Sequence, residues 1–164
     1  MERYGYDVGF DVASDGAAGE PPIVLDRRKR RTGAINRRWP FISVIVPVKN
    51  AASHLAQQME SLARQTYTGK WEVIVVDNGS GDDSVAIARA YENHIPGLTV
   101  VSAKQKSGSA FARNYGASLA KGDAFVFCDA DDIVGAHWLQ EMGQALQCQK
   151  FVAGGIDVER LNDD

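Results

Sequence analysis

From Trp39 onward, short runs of apolar residues alternate with stretches whose apolar positions recur every three or four residues. Phe41 to Val46 is an apolar, β-branched run ended by Pro47, which predicts a strand buried on both faces of a parallel sheet. The spacing of Leu55, Met59, Leu62 and Ala63 predicts a helix over Ala51 to Gln65. Trp71 to Val76 predicts a second buried strand, stopped by Asp77-Asn78-Gly79-Ser80. Asp82 or Asp83 is placed to cap the next helix, which carries Val85, Ile87, Ala88 and Tyr91. Beyond the Pro96-Gly97 turn, Leu98 to Val101 predicts a third strand. Ser109 is placed to cap a helix running to Ala120, on which Ala112 and Gly116 suit close packing against the sheet. Ala124 to Cys128 predicts a fourth strand, Ala136 to Gln147 a further helix, and Phe151-Val152-Ala153 the start of a fifth strand.

Strand and helix thus alternate four times, with short connections and no internal repeat. That order predicts an α/β fold: an open, mostly parallel sheet with alternating helices and right-handed crossovers. Ligands bind such sheets at the carboxyl ends of the strands, where the strand order reverses. The segments to inspect are therefore Pro47–Asn50, Asp77–Ser80 and Asp129–Asp132.

Residues 1–38 follow no such period. Gly, Asp, Ala and Pro21-Pro22 dominate, and the segment cannot bury enough apolar area to offset its ordering entropy, so a disordered tail is expected. Charge divides there too. Residues 1–26 carry six acids and one base, whereas residues 27–38 carry seven bases (Arg27, Arg28, Lys29, Arg30, Arg31, Arg37, Arg38) and no acid. The basic linker 27–38 reads either as a solvated connection, as a peripheral contact with anionic membrane, or as a nonspecific contact with nucleic acid. No aromatic residues interleave with it to stack on bases, so no specific nucleic-acid partner is expected.

Other features narrow the classes. The 164 residues hold two cysteines, too few for a disulfide framework or a closed zinc site. No apolar run reaches the roughly 20 residues of a membrane span, and Met1-Glu2-Arg3-Tyr4 lacks the basic-then-apolar plan of a signal peptide. A cytoplasmic protein is expected, possible at the inner face of a membrane through its basic run. Neither a Gly-x-Gly-x-x-Gly turn after the first strand nor a P-loop is present.

The densest chemistry is Asp129-Ala130-Asp131-Asp132, directly after Phe125-Val126-Phe127-Cys128. Carboxylates crowded at a strand end repel one another, and a hard divalent cation such as Mg²⁺ or Mn²⁺ removes the conflict while taking its remaining ligands from water and phosphate. The alternative is a solvated acidic turn in which Asp131 or Asp132 caps the next helix. Asp77 can accept hydrogen bonds from a base or ribose, or can belong to a plain turn. Arg113 can reach a phosphate or a site carboxylate, or can be a surface arginine. Asp129 with Mg²⁺ also admits an unrelated phosphoacceptor domain, but such a domain wants an acidic pair after its first strand, where this chain has Pro47-Val48-Lys49-Asn50.

Taken in order, these segments resemble the family 2 glycosyltransferases of the GT-A fold. The likeness runs through Ser43-Val44-Ile45-Val46-Pro47-Val48-Lys49-Asn50, Ser61-Leu62-Ala63-Arg64-Gln65-Thr66-Tyr67, Glu72 to Asp82, Ala112-Arg113-Asn114-Tyr115-Gly116 and Phe127 to Asp132. It covers about residues 41–155. The resemblance implies that 39–164 is a Rossmann-like nucleotide-sugar-binding half, incomplete at its C-terminus and cut before the acceptor half. Pro47, Val48 and Asn50 would line the nucleotide pocket, Asp77 would bind the base, typically uracil, and Arg113 would lie near the nucleotide or steady the acids. Asp129 and Ala130 would approach the ribose, and Asp129 and Asp131 would ligate Mg²⁺ or Mn²⁺. The implied reaction moves a sugar from a nucleoside-diphosphate sugar, a UDP-sugar first, to a hydroxyl of a saccharide or lipid-linked acceptor, with inversion. The family's general base lies well beyond the Asp-x-Asp motif. Asp157 and Glu159 stand too early for it, so the base is expected beyond Asp164. The alternative is a truncated donor-binding fragment or pseudoenzyme that holds nucleoside diphosphate without transfer.

Overall fold

The apolar runs become the strands of one sheet. The computed structural model describes residues 39–154. Its elements are β1 (Ile42–Val48), α1 (Leu55–Ala63), β2 (Trp71–Asp77), α2 (Ser84–Ala90), β3 (Thr99–Ser102), α3 (Ser109–Leu119), β4 (Ala124–Phe127) and α4 (Trp138–Leu146). All eight lie in one compact unit, Arg38–Lys150. The expectations for the tail 1–38, and for Asp157 and Glu159, fall outside the described residues. Phe151-Val152-Ala153, expected to begin a fifth strand, has no regular structure. None of the four strands offers it a ladder, and an apolar triplet is no strand without one.

The sheet is parallel throughout, in the order β3-β2-β1-β4. The chain winds outward through β1, β2 and β3, then crosses back to set β4 on the other side of β1. The order therefore reverses between β1 and β4, the kind of switch point at which ligands bind open α/β sheets.

Alternation along β1 and β2 builds two cores. Ile42, Val44, Val46, Val48, Val73 and Val75 face α1, α2 and α4, packing with Leu55, Met59, Leu62, Ala88 and Leu139. Ile45, Ile74 and Val76 face α3, meeting Ala112. The close packing expected of α3 is present, for a β-carbon at Gly116 would lie 2.6 Å from Ile45 Cγ2 and 2.9 Å from Val76 Cγ2. At the amino-terminal end of the sheet, the buried Glu72 carboxylate accepts from Ser43 Oγ (2.7 Å) and the Lys121 amide (2.7 Å), which pins the turn entering β4.

β1 runs through Pro47 rather than stopping before it. Its pairing with β4 ends at Ile45↔Phe127, and Cys128 N donates to Ile45 O at 3.3 Å. Main-chain groups alternate sides along a strand, so Pro47 points its missing donor to the β4 side, just beyond the last ladder bond. The proline therefore costs no hydrogen bond, and it leaves the top of the β1–β4 gap unzipped.

α1 begins at Leu55, not Ala51: residues 51–54 form a separate turn, in which His54 N and Leu55 N both donate to Ala51 O (3.0 and 2.9 Å), while the Ala51 and Ala52 amides donate to Ser84 Oγ (2.9 Å) and Asp82 Oδ2 (2.9 Å). Neither aspartate caps α2 from the N-cap position. Asp83 makes no side-chain cap, while Asp82 reaches Ser84 N at 3.1 Å and Ser84 Oγ at 2.5 Å. Ser109 is the first residue of α3 rather than its cap, which is Gly108 at φ 128°.

Candidate functional site

Four loops follow the carboxyl ends of the strands, and side-chain hydrogen bonds tie three of them together. After β1, Asn50 adopts the left-handed conformation (φ 53°) that asparagine tolerates better than most residues. Its Oδ1 accepts from Gly81 N at 2.8 Å, and its own amide donates to Ser80 Oγ at 3.0 Å. After β2, Asp77 is buried, and its Oδ1 accepts from Ser80 N at 2.8 Å. The Asn78 carboxamide donates to Ala103 O (2.5 Å) and Lys106 O (2.7 Å) and accepts from Gly108 N (2.7 Å). One buried side chain thus fixes the whole loop leading into α3. Lys49 Nζ adds a bond to Ser107 Oγ at 2.9 Å.

The fourth loop carries the acids. The Asp129 carboxylate forms an ion pair with the Arg113 guanidinium, whose second nitrogen is 3.2 Å from Ser109 Oγ. α3 thereby faces the β4 end across the switch point. Asp132 does not cap α4. Its Oδ2 accepts from Asp129 N at 2.8 Å and closes a turn that Asp132 N completes onto Asp129 O at 3.2 Å. Asp129, Asp131 and Asp132 are all exposed.

The structure therefore brings Arg113 and Asp129 into contact, with Asp131 in the same turn, and sets Pro47 and Asn50 at the end of the neighbouring strand. Val48 and Ala130 are in the core (2% and 7% exposed), so they can meet a ligand only through their backbone. Part of that backbone is in use, because Val48 O accepts from Asn78 N at 2.8 Å. Asp77, at the end of β2, has β1 between it and the acidic turn after β4.

The acidic turn suits a hard cation in chemistry. Among the described residues no three His, Cys, Asp or Glu side chains converge to hold a metal by themselves. Two carboxylates in one exposed turn match a Mg²⁺ or Mn²⁺ ion that draws its other ligands from water and a diphosphate. Behind the turn, Cys128 is a core residue. Burial, reinforced by the nearby Asp132 and Asp129 carboxylates, pushes its thiol up to about 12, against a hydrogen bond from Gln58 Nε2 at 3.1 Å.

Sequence reasoning named Asn78, Ser80 and Asp82 only as turn or cap residues and missed Ser84; all four hold the loops in place. Their signal was the run of small polar residues after β2, which is equally that of an ordinary turn.

An open parallel sheet with this switch point, faced by an arginine from one side and an acidic turn from the other, is the N-terminal part of a GT-A fold. Residues 43–164 match the model of Glycosyl transferase family 2, and the chain belongs to that family. Glycosyltransferase GlyG of Streptococcus pneumoniae is 37% identical over 107 residues, 65% of this chain and 35% of the relative. Glycosyltransferase AglE of Haloferax volcanii is 37% identical over 102 residues, 62% of this chain and 34% of the relative. Staphylococcus aureus TarS 1–349 in complex with UDP-GlcNAc superposes with a TM-score of 0.60 at 31% identity, covering 63% of this chain and 30% of that one. The mannosyltransferase PcManGT of Pyrobaculum calidifontis, in complex with GDP-Man and Mn²⁺, gives 0.58 at 29%, covering 66% and 32%. The chain spans about a third of the length of the curated relatives it matches. No helix among the described residues is long and apolar enough to cross a membrane.

Proposed function

We propose that residues 39–164 form the donor half of a glycosyltransferase, binding a nucleoside-diphosphate sugar across the carboxyl ends of β1, β2 and β4 for transfer to an acceptor hydroxyl. The observation that carries this is the Arg113–Asp129 pair at the switch point of a family 2 domain. Asp77 suits the base, because a carboxylate accepts the imino hydrogen of uracil. One of its oxygens holds Ser80 N, which leaves the other for that hydrogen. Pro47, Val48, Asn50 and Ala130 border the nucleotide, chiefly through backbone groups. Asp129 and Asp131 would hold Mg²⁺ or Mn²⁺, which when bound neutralises charge on the leaving diphosphate as a Lewis acid. Arg113 orients Asp129 and brings a fixed positive charge to the same place.

A UDP-sugar is the first choice of donor, with a saccharide or lipid-linked acceptor and inversion at the anomeric carbon. No general base is assigned among the described residues. The basic run 27–38 would sit on the anionic inner face of a membrane, in the cytoplasm. A second, alternative reading is donor binding without transfer.

The test is thermal stability with UDP, GDP, dTDP or CMP, each with Mn²⁺ or with EDTA. A ligand specific to the native state at 100 times its Kd adds about 2.7 kcal/mol. The expected result is a Mn²⁺-dependent shift with one nucleotide that Asp131→Ala abolishes. A clean melt that no nucleotide moves would overturn the donor site. Measured sugar transfer by the same chain would overturn the second reading.

A further inference from the structure

The acidic turn is held from behind by α1. Gln58 is fully buried in that helix, and its Nε2 donates to Cys128 Sγ at 3.1 Å, directly before Asp129. Ser61 lies one turn further along the same helix face and is buried as well. Its hydroxyl meets Gln58 O (2.8 Å) and Gln58 Oε1 (2.9 Å) as donor, and it accepts from Val134 N at 3.2 Å, two residues after Asp132. One chain of hydrogen bonds thus runs Cys128–Gln58–Ser61–Val134 and spans the turn from its entry to its exit. Between these anchors Ala130 packs in the core that holds Leu55 and Met59 of α1, while Asp129 and Asp131 on either side of it are exposed. Gln65 extends the hold downstream. Its Nε2 donates to Gly135 O (2.8 Å), and its Oε1 accepts from Leu139 N (2.9 Å) at the start of α4, where His137 supplies no side-chain cap.

Burying a carboxamide costs free energy that an apolar side chain of the same length does not. What a satisfied polar chain adds is direction, because it fits one arrangement of its members where apolar packing fits several. We propose that Gln58 and Ser61 are positioning residues for the metal–diphosphate end of the donor site. They fix the turn so that Asp129 and Asp131 stand in place for one cation before it arrives. This rests on the donor-site reading given above. Both side chains are buried behind the turn, so they act through its main chain rather than on a ligand. Arg113 complements them from α3, on the opposite face of the sheet, by holding the Asp129 carboxylate itself. The helix that supplies no group to the crowded acids thereby governs how they are presented.

Equilibrium dialysis of UDP or GDP against the full chain, as Mn²⁺ is raised, tests this. Gln58→Met keeps the length of the side chain, and Ser61 keeps Gln58 O as an acceptor, so the variant is expected to fold. The Mn²⁺ concentration for half-maximal nucleotide binding is expected to rise about tenfold, with full occupancy still reached at high Mn²⁺. Ser61→Ala is expected to share that rise, and Ser61→Thr, which keeps the hydroxyl, is expected not to. Without ligand, amide exchange in Gln58→Met and Ser61→Ala is expected to quicken at residues 129–134 and not at 78–81. A lower melting temperature with an unchanged Mn²⁺ midpoint would show a role in stability alone and overturns the inference. So does unchanged exchange at 129–134, or an equal defect in Ser61→Ala and Ser61→Thr. A wild-type chain that retains neither nucleotide at any Mn²⁺ concentration overturns the donor reading, and this inference with it.

Discussion

Gly116 and Ile45 touch so closely that a β-carbon on the glycine would lie 2.6 Å from Ile45 Cγ2. This contact sets the height of α3 above the sheet, and so the reach of Arg113, three residues earlier, to Asp129 in the turn after β4. Gly116→Ala is expected to cost about 1–3 kcal/mol by overpacking, read from urea unfolding. Adding Ile45→Ala should recover part of that loss. Strict additivity of the two changes would count against direct contact as the cause.

The Arg113–Asp129 pair separates stability from binding. Both groups are partly exposed (33% and 52%), and such pairs contribute less than about 1 kcal/mol to folding. Arg113→Ala should therefore leave the melting temperature nearly unchanged while weakening Mn²⁺-dependent nucleotide binding about tenfold or more, since charge-assisted bonds are worth roughly 1.5–3 kcal/mol. Calorimetric titration checks this, and equal affinity in the variant would remove Arg113 from the site.

Asn78 should behave in the opposite way. Asn78→Ala leaves Ala103 O, Lys106 O and Gly108 N without their partner, at about 1–3 kcal/mol for each group that water does not reach. Stability should fall first, with faster amide exchange along residues 103–108. Unchanged exchange there would mean that the loop is held by something else.

The two cysteines should differ in reactivity. Cys148 is exposed and Cys128 is buried. With the Cys128 thiol raised from 9.0 to about 12 by burial, one thiol should react quickly with a disulfide reagent at pH 8 and the second only on unfolding. The same shift has a sign for stability. The unfolded thiol ionises near 9 while the folded one stays neutral, so this group begins to favour unfolding as pH rises above 9, up to about 12. Cys128→Ala should flatten that alkaline slope.

Asp82 supplies the acid-side counterpart. Hydrogen bonds from the Ser84 hydroxyl and the Ala52 amide hold its carboxyl below its usual value. Its folded form gains from ionisation, so its contribution is present above the ordinary carboxylate range and is lost as pH falls. Asp82→Asn should reduce the acid dependence of unfolding, measured from pH 6 downward.

The strands were legible because both faces of a parallel sheet are buried, so Ile42–Val48 and Trp71–Asp77 announce themselves as apolar runs. The acids of the candidate site stood out because carboxylates crowded after an apolar strand are chemically awkward. Helix starts were not. Periodicity carried α1 back to Ala51, but residues 51–54 close a turn of their own, held in place by Ser84 and Asp82, and nothing local in residues 51–54 records bonds made to residues thirty or more positions away. Asn78 was hidden for the same reason, since its three partners lie in another loop.

Pro47 fixes where the β1–β4 ladder stops. A strand that carries no amide hydrogen at its upper end cannot be stitched to its neighbour there, whatever the neighbour does. The limit of the β1–β4 ladder is thus written into the covalent chain, and no rearrangement of β4 can extend its bonding to an amide at position 47.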